Sequence, residues 1–193
     1  MTFVQPDSIS RRLKGIEMVY PTLKQEWDSF SYLLEWKDFS SYQERTIEQQ
    51  HQGHEILDDD YYNAPVATDS TGWAIAPLFY KNIPYLKHTH LLPRTAKTIQ
   101  WLNCTMYAGF ARLAPGYELG WHYDPDPSPT IERVRVQLPF NTSDSVLHVN
   151  DDRMEYTEGK LMCFKSSALH RVENRSDMHR YSLIFDVFMP VRA

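Results

Sequence analysis

Arg133-Val134-Arg135-Val136-Gln137-Leu138-Pro139-Phe140 places Val134, Val136, Leu138 and Phe140 in strict alternation with Arg133, Arg135 and Gln137. A period of two marks a strand with one buried apolar face, because successive side chains on extended backbone point to opposite sides. The apolar side must pack on a second layer. Whether the polar side meets solvent or lines an interior cavity is left open by periodicity alone.

Similar signals flank this stretch. Upstream, Met106 to Leu113 reads as a strand stopped by the turn pair Pro115-Gly116. Downstream, Val146 to Val149 runs into Asn150-Asp151-Asp152, and a return strand follows from Arg153 to Tyr156. Glu158-Gly159 then turns the chain into Lys160 to Phe164, and Tyr181 to Phe188 forms a last strand before Pro190. Short strands separated by turn signals roughly every ten residues predict a sandwich or barrel, and a jelly roll brings distant strands together.

Before this region the pattern is helical. Leu23, Trp27, Phe30 and Leu34 share one helical face, which predicts a helix after Pro21-Thr22. A second helix is predicted over Thr95 to Leu102, entered through Pro93. The polar stretch from Glu44 to Asn63 holds His51, His54 and Asp58-Asp59-Asp60 and reads as a surface segment, with a substrate lid as the alternative. The expected organisation is one mainly β domain over 1–193. Residues 1–99 are a helical and loop buttress containing the lid candidate, and 100–193 a cupin-like jelly-roll core.

The chain's 193 residues suffice for a substantial core, and 42% hydrophobic content argues against disorder. A formal charge of −5 gives no reason to expect nucleic acid or an anionic membrane as a partner. No apolar run is long enough to span a bilayer, and Met1 to Pro6 lacks a secretory layout, so a cytoplasmic location is expected. Cys104 and Cys163 are read as buried thiols, since neither has metal-site spacing. Composition says nothing of oligomeric state.

The chemistry concentrates in His122-Tyr123-Asp124, His170 and Arg180. A histidine and a carboxylate two apart on extended backbone project to one side, and a distant histidine completes a 2-His-1-carboxylate face for Fe(II) with positions open to co-substrate and oxygen. Arg180 offers a forked cation to an acidic co-substrate. Each residue alone has an ordinary reading, as a loop histidine, a turn aspartate or a strand-end histidine; their order and combination favour the metal site. Arg112 and Arg133 are the candidate cations for a substrate carboxylate. Arg112 shares parity with Met106, Ala108 and Phe110, and solvent exposure at the strand end is its alternative. His148 and His179 are assigned to the surface or to structural bonds.

From about Gly72 to Pro190 the sequence resembles the aspartyl/asparaginyl β-hydroxylase family of Fe(II)/2-oxoglutarate dioxygenases, including its bacterial free-proline hydroxylase branch. The resemblance rests on Leu92-Pro93-Arg94-Thr95, Pro115-Gly116 before Trp121-His122, and Arg133 to Leu138. It continues through Glu158-Gly159-Lys160, Phe164, His170 and Arg180 to Val187. It implies a double-stranded β-helix with iron on His122 and His170. It also implies that Arg180 holds the distal carboxylate of 2-oxoglutarate, while Arg135 holds the end nearer the metal and Gln137 faces the same cavity. Animal members place glycine where this chain has Asp124, so the complete triad resembles the proline-hydroxylase branch; some members carry histidine where this chain has Gln137.

The expected activity is therefore hydroxylation of a free amino acid or small derivative with Fe(II), 2-oxoglutarate and O2. A residue in a peptide or carrier-bound substrate is the alternative within the same chemistry. A non-catalytic jelly-roll binding module is the alternative outside it.

Overall fold

The computed structural model describes residues 3–9, 11–40, 64–124, 126–141 and 144–191. The lid candidate at Glu44 to Asn63 lies outside the described residues. The helices are α1 (Pro6–Ile9), α2 (Arg11–Phe30), α3 (Leu86–Leu91) and α4 (Pro93–Leu102). The strands are β1 (Lys37–Asp38), β2 (Trp73–Tyr80), β3 (Ile83–Pro84), β4 (Tyr107–Leu113), β5 (Glu118–His122) and β6 (Ile131–Pro139). They continue with β7 (Ser145–Val149), β8 (Asp152–Glu155), β9 (Met162–Lys165), β10 (His170–Asn174) and β11 (Arg180–Pro190).

Two antiparallel sheets face one another. The larger runs β1-β2-β4-β11-β6-β9, with β3 paired to β2, and the smaller runs β5-β10-β7-β8. This is the jelly roll that the alternating strands predict. The larger sheet is covered on both sides, so its strands carry two apolar faces. Ala108, Phe110, Val136, Leu138, Leu183 and Phe185 pack under Leu13, Ile16, Leu23 and Trp27 of α2. Tyr107, Ala111, Leu113, Phe164 and Ile184 meet Leu119, Leu147, Val149 and Val172 of the smaller sheet.

Two elements differ from the sequence reading. The core begins before residue 100, because β2 lies inside the larger sheet against β4. Trp73 to Phe79 is buried at every position, so it carries no alternation to betray a strand. The first long helix runs from Arg11 through Pro21 and ends at Phe30, rather than starting after the proline. A mid-helix proline costs about 3 kcal/mol, and burial of Leu13, Ile16, Leu23 and Trp27 along one face offsets it. Trp27 anchors that face, with ring centroids 4.4 Å from Phe110, 5.3 Å from Tyr181 and 5.4 Å from Phe140. Such aromatic pairs add about 0.5–1.5 kcal/mol each beyond area burial.

Buried polar groups hold the helical layer. The Glu26 carboxylate on α2 accepts the backbone N–H groups of Arg94 and Thr95 at 2.8 and 2.9 Å, and the Thr95 hydroxyl at 2.7 Å. It thereby caps α4, whose first amides have no partner inside the helix. Tyr20 donates to Glu158 at 2.8 Å, and its ring lies against Gly159 (φ +73°), where a side chain would clash with the ring and strain the backbone. Cys104 and Cys163 are both buried and unpaired with each other, and burial pushes each thiol up to about 12. No helix among the described residues is long and apolar enough to cross a membrane.

His88 on α3 is fully buried. Its Nδ1 donates to the Pro77 carbonyl at 2.8 Å, and its Nε2 accepts the Glu35 amide at 2.9 Å, so the ring is neutral. Burial pushes it down to about 4. A histidine whose folded value lies below its unfolded value of about 6.5 contributes stability that is present above that value. This contribution is lost as pH falls from 6.5 toward 4, and amounts to roughly 3 kcal/mol. Urea melts of wild type and His88→Gln at pH 7 and pH 4.5 check this. The variant is expected to lose less stability on acidification, and an unchanged pH dependence would refute the assignment. His122 and His170 shift in the same direction in both proteins, so the comparison isolates His88.

Candidate active site

Strand pairing brings the two distant histidines together. His122 closes β5, His170 opens β10, and they are direct partners in the β5–β10 ladder, with ring centroids 4.2 Å apart. The register then slips, since Val172 pairs with Leu119 rather than Gly120. Leu119 and His122 are three residues apart and would face opposite sides of a regular strand. The extra residue of the bulge turns both inward. Both histidines are buried, and the His170 ring packs edge-on against Phe164 at 4.9 Å.

Each ring is oriented by its own backbone. His122 Nδ1 bonds to the Gly120 carbonyl at 2.7 Å and His170 Nδ1 to the Ala168 carbonyl at 2.8 Å. A carbonyl only accepts, so each Nδ1 carries the proton and each Nε2 presents a lone pair, the tautomer a metal requires. Burial, reinforced for His170 by the neighbouring His122, lowers both rings, His170 to about 3. Both are therefore neutral at neutral pH.

Asp124 lies just beyond β5, tied by its amide to the Ser166 carbonyl at 2.8 Å. Its Oδ2 is 4.0 Å from His170 Nε2 and 2.6 Å from Arg135 Nη1. The latter contact is an ion pair not aligned as a hydrogen bond, so this buried oxygen has no hydrogen-bond donor among the described residues. Burial opposes ionisation of Asp124, yet the Arg135 charge beside it and the two histidines hold its carboxyl well below the usual range. As placed, no three His, Cys, Asp or Glu side chains among the described residues stand close enough to share one ion, because Asp124 leans toward Arg135. The donors nevertheless fit a metal in kind. Two Nε2 lone pairs and an ionised carboxylate whose inner oxygen lacks a donor are what a 2-His-1-carboxylate centre uses.

The second half of the site is a cation pocket. Arg180 opens β11 and is 3% exposed. Its Nη1 donates to Gln137 Oε1 at 3.2 Å and lies 3.5 Å from the Ser182 hydroxyl, and the guanidinium stacks 4.4 Å over the Tyr156 ring. Its Nε is buried without a hydrogen-bond partner among the described residues, and no carboxylate among them pairs with it. A buried guanidinium without a counter-charge is costly unless an anion joins it. Burial raises the Tyr156 hydroxyl, with Arg180 opposing, so the group stays protonated and donates to Gln137 Oε1 at 2.6 Å. With Oε1 engaged by both neighbours, the Gln137 amide nitrogen is directed away from them.

The larger sheet's parity decides which polar residues join the histidines. Asp186 pairs across the ladder with Arg135, Ile184 with Gln137 and Phe188 with Arg133. Arg180, Ser182 and Asp186 therefore share the inner face with Arg133, Arg135 and Gln137. Arg133 lies at the more exposed end, 3.7 Å from Asp186 and 5.6 Å over the Phe188 ring. Arg112 is not brought to this face. It lies on the helix side, 5.2 Å over Trp36, and donates to the Thr68 carbonyl at 2.6 Å. His148 bonds Glu173 at 2.5 Å, and His179 reaches the Asp69 carbonyl at 3.3 Å, both away from the site. The sequence reading missed Tyr156, Ser182 and Asp186. Ser182 and Asp186 were signalled by their parity with Arg180, being polar residues in an otherwise apolar strand.

Comparison with solved structures finds likeness to an oxidoreductase of the 2OG-Fe(II) oxygenase family from Burkholderia pseudomallei. Identity is 12% over 65% of this chain and 72% of that one, with a TM-score of 0.44. The Cnp3 cupin domain of Schizosaccharomyces pombe is similar at 7% identity over 70% of this chain and 76% of that one, with a TM-score of 0.43. A predicted oxalate decarboxylase from Thermotoga maritima is similar at 16% identity over 61% and 81%, with a TM-score of 0.40. Comparison with curated proteins gives no match. The family model for aspartyl/asparaginyl beta-hydroxylase matches residues 18–190, from within α2 to the end of β11, and the chain belongs to that family.

Proposed function

We propose that this protein is an Fe(II)- and 2-oxoglutarate-dependent dioxygenase acting on a free amino acid or small amino-acid derivative. It converts 2-oxoglutarate, O2 and a C–H bond into succinate, CO2 and a C–OH group. The observation that carries this reading is the buried Arg180, with which no carboxylate among the described residues pairs, on the same interior face as the neutral His122–His170 pair and Asp124.

In this reading His122 Nε2, His170 Nε2 and Asp124 hold iron, which supplies the oxygen activation when bound. The chain's own residues bind and orient. Arg180 takes the distal carboxylate of 2-oxoglutarate, with Ser182 and Tyr156 fixing its guanidinium. Gln137 and Arg135 lie two residues apart on β6, about 7 Å along the strand, and lead from that carboxylate toward Asp124. The Gln137 amide nitrogen, directed away from Arg180, is left to donate to the co-substrate. Phe164 packs against the His170 ring and Val149 pairs with His170 across the ladder, and this apolar surround would keep water from the reacting centre.

A small substrate must be held by its charged groups, since a short side chain offers too little apolar area for selectivity. Arg133, at the exposed end of the inner face, is the cation placed to take its carboxylate; Arg112, on the opposite face, is not. Succinate release measured across free amino acids, their amides and peptides containing them tests this. Turnover of free acids with little from amides or peptides is expected. Equal turnover of all three would transfer the assignment to a peptide or carrier-bound substrate.

A further inference from the structure

We infer that Asp186 is a positioning residue: it clamps the Arg135 guanidinium so that Arg135 holds, without capturing, the Asp124 carboxylate beside the two histidines. This rests on the reading of Asp124 as a metal ligand.

Asp186 is 1% exposed and lies directly across the β6–β11 ladder from Arg135. Its Oδ1 accepts Arg135 Nε at 2.9 Å and its Oδ2 accepts Nη2 at 3.1 Å. This two-point fork fixes the guanidinium plane and leaves Nη1 on the far side, where it meets Asp124 Oδ2 at 2.6 Å. The Tyr107 ring, 5.5 Å from the guanidinium carbon, closes one flank. Asp186 also faces Arg133 Nε at 3.7 Å, so two carboxylates and two guanidinia stand together in one row.

Arg135 and a metal compete for the same Asp124 oxygen. A guanidinium with no other anion nearby would pair with Asp124 through two N–H groups and draw it from the histidines. By occupying the Nε–Nη2 edge, Asp186 restricts Arg135 to one-sided contact with Asp124 and balances its charge. The pair also restricts Arg135 as a co-substrate clamp, because the donors facing Asp186 are already engaged. Asp186 thus acts through Arg135 on Asp124, without touching the metal.

The test is titration of the full-length protein with Co(II) alone, followed by the visible absorption of the bound ion, for wild type, Asp186→Asn, Arg135→Gln and the double variant. Loss of an outer partner of a ligand set typically weakens metal binding about 10–100-fold. That loss is expected for Asp186→Asn, and the double variant is expected to bind no more weakly than Arg135→Gln. Unchanged affinity in Asp186→Asn, or additive losses in the double variant, would overturn the inference. A wild type that binds no Co(II) would instead overturn the metal-site reading. Should Asp186→Asn fail to fold, side-chain NMR of wild type decides the matter. The Arg135 Nε–H is expected to stay protected from solvent exchange before and after Zn(II) addition, and loss of protection on Zn(II) binding contradicts the clamp.

Discussion

Arg180→Ala is expected to weaken 2-oxoglutarate binding by about thirtyfold to several thousandfold while leaving the protein folded. The magnitude follows from removing one partner of a buried charge-assisted pair, which costs about 2–5 kcal/mol. Two features make the effect fall on binding rather than folding. No carboxylate among the described residues pairs with Arg180, so the substitution strands no internal anion. Its protein contacts are the neutral Gln137, Ser182 and Tyr156. Arg180→Lys is expected to recover only part of the affinity, because an ammonium lacks the planar fork. Calorimetric titration of Fe(II)-loaded protein with 2-oxoglutarate under anaerobic conditions measures this. Normal affinity in a folded Arg180→Ala protein would remove Arg180 from the co-substrate site.

His122→Ala and His170→Ala are each expected to lose bound iron and, with it, succinate release. Both rings present Nε2 from a backbone-fixed tautomer, and neither has a substitute close by among the described residues. Both rings are neutral at neutral pH, so removing either relieves no buried charge; each leaves a cavity and a backbone carbonyl without its Nδ1–H donor, and some loss of stability is expected beside the lost iron. Metal content by mass spectrometry, set beside thermal melts, separates lost ligation from lost structure. Full iron occupancy with turnover in both variants would place the metal elsewhere.

Much of this architecture was legible because alternation reports a strand whose two sides differ. Val134 to Phe140 announced β6, and His122-x-Asp124 with a distant histidine singled out three side chains that the fold brings together. Where both faces of a strand are buried the signal vanishes. β2 escaped because Trp73 to Phe79 has no polar side. Arg112 was ambiguous for the same reason, since β4 is buried throughout and parity cannot say which layer it meets. Helix α2 was misplaced because Pro21 is a strong local breaker, and only the packing of α2 on the larger sheet overrides it. Asp186 and Tyr156 became visible once register paired the first with Arg135 and packing set the second beneath Arg180. Cross-strand partners are a property of the folded sheet, and no local pattern encodes them.

In the proposed function a metal and 2-oxoglutarate occupy one shared site, between His122, Asp124 and His170 on one side and Arg180 on the other. Anaerobic titration of 2-oxoglutarate into the protein with and without Fe(II), and of Fe(II) with and without 2-oxoglutarate, tests it most directly. Each ligand is expected to tighten the other, and by the same factor, because coupling between two bound ligands is reciprocal. Affinities for 2-oxoglutarate that are identical with and without Fe(II) would contradict it.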